Sequence, residues 1–151
     1  MTPRLVRTST LTEFKRAGRK FSCLTSYDAL TAGAFDEAGI EVLLVGDSAA
    51  DNVLGYSSTL PITIEEMIPF GRAVAGATKR ALVVVDMPFG SYETGAEDAL
   101  ANGIRIMKVT GAGAVKLEGG ERSVAAISAL VTAGIPVMGH IGFTPQSVHA
   151  L

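Results

Sequence analysis

Five short runs of β-forming residues recur along the chain, over 22–26, 42–45, 82–86, 114–118 and 135–140, with longer segments of helical character between them. Two of the runs, VLLV from Val42 and LVVV from Leu82, are continuously apolar instead of alternating with polar residues. A strand that is apolar at every position has no face to give to water, so it belongs in a parallel sheet covered on both sides by crossover helices. The βα rhythm therefore admits an open doubly wound sheet or a closed barrel. An open nucleotide-binding sheet usually carries a glycine-rich phosphate turn after its first strand. Here that strand runs into Ser26-Tyr27-Asp28 with no G-x-G-x-x-G, and the expectation is an α/β fold of the (β/α)8 barrel class. A complete barrel takes about 250 residues and eight strands. The 151 residues are thus expected to form a single domain, 1–151, that is the N-terminal portion of a longer barrel, about its first five βα units.

The intervening segments carry helix punctuation. Thr63-Ile-Glu-Glu66 and Thr94-Gly-Ala-Glu97 fit the capping box, in which a hydroxyl and a carboxylate satisfy free N–H groups, and each is expected to open a helix. Asp28 is expected to cap the helix starting at Ala29. Gly39 and Gly134 stand where helical segments should end, as left-handed terminators. Pro69 is expected to kink or split the second segment. The stretch DNVLGYSSTLPITIEEM, from Asp51 to Met67, is long for a βα loop. It reads as a functional loop over the site, with Gly55 and Tyr56 as hinge or lid, or equally as a packed Ω-loop.

Composition closes off several classes of function. A 48% hydrophobic content and a positive mean hydropathy supply a core and exclude a disordered chain. The 13 basic and 15 acidic residues, net −2, are scattered, so neither nucleic acid nor an anionic membrane is expected as a partner. No apolar stretch approaches the roughly 20 residues of a membrane span. The basic N-terminal stretch through Phe21 lacks the apolar core of a secretory signal. Cys23 is the only cysteine; no intrachain disulfide can form, a reducing cytoplasmic setting is expected, and the thiol reads as a small buried hydrophobe.

Chemistry concentrates where the strands end. The second finishes VGDS, the third VVVDMPFG, the fourth AVKLEGG and the fifth VMGHIGF, which sets Asp47, Asp86, Lys116 with Glu118, and His140 at successive C-termini. Taken singly, each is as well explained by a helix cap or a solvated loop. In a parallel barrel these ends share the rim where active sites are built, and four in register carry more weight than one. Three converging carboxylates repel one another unless a cation lies between them. A hard ion such as Mg2+, one per subunit, suits Asp47, Asp86 and Glu118, two in direct contact and the third directly or through water. The chain has no cysteine or paired-histidine set for structural zinc. An α-keto acid would chelate such an ion through its keto and carboxylate oxygens, which makes the adjacent C–H acidic. Lys116 then neutralises the substrate carboxylate or the developing enolate, and Ser48 with nearby N–H groups binds carboxylate oxygens. An ion pair of Lys116 with Glu118, two residues along the same strand, is the structural alternative. His140 either bonds substrate or is a satisfied core histidine, Tyr27 is a candidate pocket wall, and His149 is expected to be exposed.

The stretches TSYDALTAGAFDEAGIEVLLVGDSAADNVLGYSSTLPITIEEM, VVVDMPFGSYE, GAGAVKLEGG and PVMGHIGFTPQSVHAL cover nearly all of the chain from Thr25 onward. In order and spacing they resemble the 3-methyl-2-oxobutanoate (ketopantoate) hydroxymethyltransferases. The resemblance implies a (β/α)8 barrel of the phosphoenolpyruvate mutase type. It also implies transfer of a hydroxymethyl group from 5,10-methylenetetrahydrofolate to 3-methyl-2-oxobutanoate, giving 2-dehydropantoate (ketopantoate), the first step of pantothenate and hence coenzyme A biosynthesis. By the same resemblance Asp47 and Asp86 match metal-ligand aspartates and Glu118 the third metal-site carboxylate. Ser48 and Lys116 match keto-acid contacts, His140 matches an active-site histidine, and the assembly is a homo-oligomer, a decamer. The family's general base, a glutamate from the second half of the barrel, has no counterpart in this sequence. Two rival readings are a non-catalytic metal-binding half-barrel and a related metal-dependent keto-acid lyase; lyases of that kind carry a K-K-C-G-H loop, which this sequence lacks.

Overall fold

A computed structural model of the chain describes residues 5–150. Within them β1 (Cys23–Thr25), β2 (Val42–Val45), β3 (Leu82–Asp86), β4 (Ala114–Glu118) and β5 (Val137–His140) form one sheet, all neighbours parallel, in the order in which the chain makes them. That order decides between the two architectures. A doubly wound sheet reverses direction at its switch point, whereas here each unit steps the same way, as in a barrel. The fifth strand begins later than the apolar run from Ile135. Pro136 gives its carbonyl to Val115 N at 3.0 Å but has no N–H to pair, so the ladder starts after it.

The helices are α1 (Thr8–Arg16), α2 (Ala29–Glu37), α3 (Ala49–Asn52), α4 (Ile64–Ala77), α5 (Ala96–Thr110) and α6 (Val124–Thr132). The Asp28 carboxylate accepts from Leu30 N (2.8 Å) and Thr31 N (2.9 Å), and so caps α2. Thr63 and Glu66 form the reciprocal box at the start of α4. The box expected at 94–97 does not form. Helix α5 opens one residue later, after Gly95, which turns the Thr94 hydroxyl to Asp98 Oδ2 (2.6 Å) instead of pairing it with Glu97. Gly39 and Gly134 follow α2 and α6 with φ of +93° and +87°, the left-handed conformation expected of them. Pro69 does not split α4: it stands on the exposed face in the second turn, where it costs one donor, and the helix runs on to Ala77.

Alternate residues of each strand face alternate sides of the sheet. On the outer side Leu43, Val45, Val83, Val85, Val115 and Leu117 pack with Met67, Val74, Ile106 and Leu130 from the helices. On the inner side Val42, Leu82, Val84 and Ala114, with Leu44 and Met138, form a smaller core closed by Val6 and Leu11. Each fully buried side chain of this kind contributes about 1.5–3 kcal/mol. Strand β1 is an edge of the sheet, and all three of its residues are exposed, so Cys23 is not the buried hydrophobe expected from the sequence. Asp36, at the inner end of α2, accepts from Lys79 N (2.9 Å), Arg80 N (3.2 Å) and Ala81 N (2.7 Å) and so fixes the path of the chain into β3. Among the described residues no helix is long and apolar enough to cross a membrane.

Candidate active site

The period-two pattern that buries Leu82 and Val84 on the inner face brings the next residue of that series, Asp86, onto the same face. Ala114 leads in the same way to Lys116 and Glu118, and Met138 to His140. The inner core therefore turns polar at the C-terminal end of the sheet. Register then pairs these residues across strands: Asp86 lies opposite Lys116, and Glu118 opposite His140. Lys116 Nζ donates to Asp86 Oδ1 at 2.5 Å, with side chains 11% and 3% exposed. The ion pair of Lys116 with Glu118, allowed by the sequence, is not the one made. Glu118 Oε1 instead faces His140 Nδ1 at 3.0 Å.

The turn after β2 completes the cluster. Asp47 N donates to Asp86 Oδ2 at 3.0 Å, and Ser48 Oγ lies 2.8 Å from the Tyr27 hydroxyl. Gly46 makes this approach possible, because a Cβ there would meet Ser48 Oγ at 2.8 Å and Asp86 Oδ2 at 3.6 Å. Asp47, Asp86 and Glu118 are all buried. Burial pushes the Asp86 carboxyl up to about 6; Lys116 opposes the rise and the Asp47 carboxylate adds to it.

Two residues that the sequence did not single out join the candidates together. Gln146, in the loop after β5, donates from Nε2 to Asp47 Oδ2 (2.8 Å) and to the Met87 carbonyl (3.1 Å). Its backbone N–H donates to Glu118 Oε2 at 3.1 Å. The Tyr92 hydroxyl, from the loop after β3, donates to Gln146 Oε1 and accepts from Glu118 N at 3.1 Å. Both stand in segments that follow strand ends, which is the one signal available in the sequence; no spacing marks either residue. His149 is exposed, as expected. Tyr56, the proposed lid residue, donates to Glu66 Oε1 at 2.6 Å, which ties its loop to the start of α4.

The expected convergence of three carboxylates is only partly assembled. Among the described residues no group of three or more His, Cys, Asp or Glu side chains is arranged to hold a metal ion. The Asp47 backbone N–H bonds the Asp86 carboxylate, while both Glu118 oxygens are engaged by His140 and Gln146. Two buried carboxylates on residues joined by a main-chain bond, Asp47 and Asp86, are nonetheless a donor type that suits a hard cation, since Mg2+ takes one or two carboxylates and keeps several waters.

Both the sequence and the fold have known relatives. The model of the ketopantoate hydroxymethyltransferase family matches residues 5–151. A 3-methyl-2-oxobutanoate hydroxymethyltransferase of Leifsonia xyli subsp. xyli is 64% identical over 149 residues, 99% of this chain. One of Thermobifida fusca is 62% identical over 148 residues, 98% of this chain. The chain spans about half the length of the curated relatives it matches, 54% and 53% of these two. Among solved structures, a phosphonopyruvate hydrolase in complex with oxalate and Mg2+ superposes with a TM-score of 0.68 at 14% identity, covering 85% of this chain and 50% of that one. A 2,3-dimethylmalate lyase of the PEP mutase/isocitrate lyase superfamily superposes with a TM-score of 0.62 at 17% identity, covering 87% of this chain and 52% of that one. At such identities the likeness is one of fold: the sheet is of the (β/α)8 barrel type found in that superfamily.

Proposed function

Because the chain belongs to the ketopantoate hydroxymethyltransferase family, we propose that the protein carrying it transfers a hydroxymethyl group from 5,10-methylenetetrahydrofolate to C3 of 3-methyl-2-oxobutanoate, the first step of pantothenate synthesis. In the net reaction the C3–H bond breaks and a C–C bond to the one-carbon unit forms. Water supplies the new hydroxyl, and 2-dehydropantoate and tetrahydrofolate leave. The observation that carries this reading is the meeting of three adjacent strand ends at the buried Asp86 carboxylate, one oxygen of which takes the Lys116 ammonium and the other the Asp47 backbone N–H, with the buried Asp47 side chain beside it.

Asp47 and Asp86 are the residues proposed to hold Mg2+, with Glu118 reaching it directly or through water. When bound, the ion draws electron density from the keto carbonyl and makes the neighbouring C–H acidic. Lys116 Nζ, held at this rim by Asp86, is proposed to balance the substrate carboxylate or the negative charge that grows on the keto oxygen as C3 loses its proton. Ser48 Oγ, oriented by Tyr27, donates to a substrate carboxylate oxygen. His140, anchored at Nδ1 by Glu118, offers its other ring nitrogen to the substrate. The base that takes the C3 proton is assigned, on the family resemblance, to a glutamate in the part of the relatives that this chain does not span. A cytoplasmic homo-oligomer, a decamer, belongs to the same reading.

Two measurements on the intact natural protein test it. Ketopantoate should form from 3-methyl-2-oxobutanoate only when Mg2+ and 5,10-methylenetetrahydrofolate are both present. Without folate, the C3 proton should still exchange with deuterium from D2O, as followed by NMR, and Asp47→Ala or Asp86→Ala should abolish that exchange. Absence of product overturns the transfer reaction; unchanged exchange in either variant overturns the metal assignment.

A further inference from the structure

We propose that Gln146 and Tyr92 are positioning residues that lock the Asp47 and Glu118 carboxylates into one unit, so that the cation and keto-acid site is set before either ligand arrives. The inference rests on the metal-assisted reading of this site and adds to it the two side chains that hold it in shape.

The argument is one of hydrogen-bond direction. Gln146 is 6% exposed and lies 99 residues from Asp47 in sequence. Its amide nitrogen has two protons, and both are used, one on Asp47 Oδ2 and one on the Met87 carbonyl. Both partners are acceptors, so a flipped amide would set oxygen against oxygen, and only one orientation is allowed. The amide oxygen then needs a donor, and Tyr92 supplies it. The Tyr92 hydroxyl has no freedom of role either, because its oxygen already accepts from Glu118 N and its single proton must go to Gln146. The Gln146 backbone N–H closes the ring on Glu118 Oε2. Bonds thus run from β4 through the loops after β3 and β5 to the turn after β2. Each is directed, and each is made by a buried group whose donors and acceptors are already matched. Partners of this kind around metal ligands change metal affinity or activity about 10- to 100-fold when they are removed.

A cavity of about 230 Å³ adjoins both side chains, so truncation to alanine would admit water, and variants that keep volume are required. The test uses the intact natural protein, with Mn2+ as the probe ion. Free Mn2+ is read by electron paramagnetic resonance without substrate, alongside C3 proton exchange and thermal unfolding. Gln146→Leu is expected to weaken Mn2+ binding about 10- to 100-fold, and Tyr92→Phe to weaken it in the same direction by less. Because Tyr92 and Gln146 share one hydrogen bond, the double variant should lose less affinity than the sum of the two single losses. Ser147→Ala, whose Oγ bonds Arg122 outside the ring, should bind as the unsubstituted protein does.

Wild-type Mn2+ affinity in Gln146→Leu and Tyr92→Phe, even with a lowered unfolding temperature, would overturn the proposal, as would additive losses in the double variant. If Gln146→Leu fails to fold, Tyr92→Phe decides by the same criterion. An unsubstituted protein that binds Mn2+ but exchanges no C3 proton refutes the proposed reaction and leaves the positioning role standing. One that binds no Mn2+ refutes both.

Discussion

Replacing Lys116 by alanine removes the cation that stands 2.5 Å from Asp86 Oδ1. With the Asp86 side chain 3% exposed, water entering the space left by Lys116 replaces a hydrogen bond but not the positive charge. Removing one partner of a buried pair costs about 3–5 kcal/mol, because the remaining charge is left uncompensated. Asp47 N–H still donates to the other Asp86 oxygen at 3.0 Å, which puts the expected loss at the lower end, about 3 kcal/mol. For a domain of this size or larger that lowers the melting temperature by roughly 6–12 °C. The assay is thermal and denaturant unfolding of the natural protein in EDTA, so that no divalent ion substitutes for the ammonium. The double variant Lys116→Ala/Asp86→Ala buries no lone charge and should be more stable than Lys116→Ala by itself. A loss below about 1 kcal/mol, the value of a surface pair, would refute the reasoning, as would a double variant no more stable than the single one. In binding experiments the same substitution should weaken the keto acid more than the metal; equal effects on both would contradict the role proposed for Lys116.

Three further outcomes are expected outside the carboxylate cluster. Asp36→Ala strips the acceptor from the backbone N–H groups of Lys79, Arg80 and Ala81 and should cost about 3 kcal/mol in denaturant unfolding; a loss within a few tenths of that scale from zero would show the anchor to be idle. Gly71→Ala should destabilise despite the better helix propensity of alanine, by about 1–3 kcal/mol. Its Cβ would sit 2.8 Å from Thr110 Cγ2 and 3.2 Å from Val85 Cγ2, and the Thr110 hydroxyl is already held by Ile106 O and Ala112 N; a raised melting temperature would contradict this. The Thr31 and Leu30 bonds, the Thr31 N–H foremost, hold the Asp28 carboxyl below its ordinary value. A folded-state value below the unfolded one gives stability that is present at neutral pH and lost as pH falls through and below about 4. The stability advantage over Asp28→Asn should shrink over that range, and a difference independent of pH would rule the cap charge out as its source.

How far the sequence reaches is visible residue by residue. The apolar runs at Val42 and Leu82 specified buried parallel strands, and the Thr63–Glu66 box and Gly39 marked where helices start and stop, because these signals act within a turn or a strand of chain. The same period of two that buries Val84 and Ala114 placed Asp86, Lys116, Glu118 and His140 on one face at one end. The sequence did not say whom each residue touches. Lys116 meets Asp86 and not Glu118 because parallel register sets residues of neighbouring strands opposite each other, and periodicity names a face without naming a neighbour. Thr94 missed its predicted partner because α5 starts one residue later than the motif suggests. Cys23 is exposed because, among the five strands described, β1 has a neighbour on one side only, which no local pattern reports. Gln146 reaches Asp47 and Glu118 only because three loops fold over the same rim. What the sequence determined by itself is the order of strands and helices and the chemical groups at their ends. Which carboxylates pair, and what holds them still, was decided only in the tertiary structure, where side chains distant along the chain come within hydrogen-bond reach.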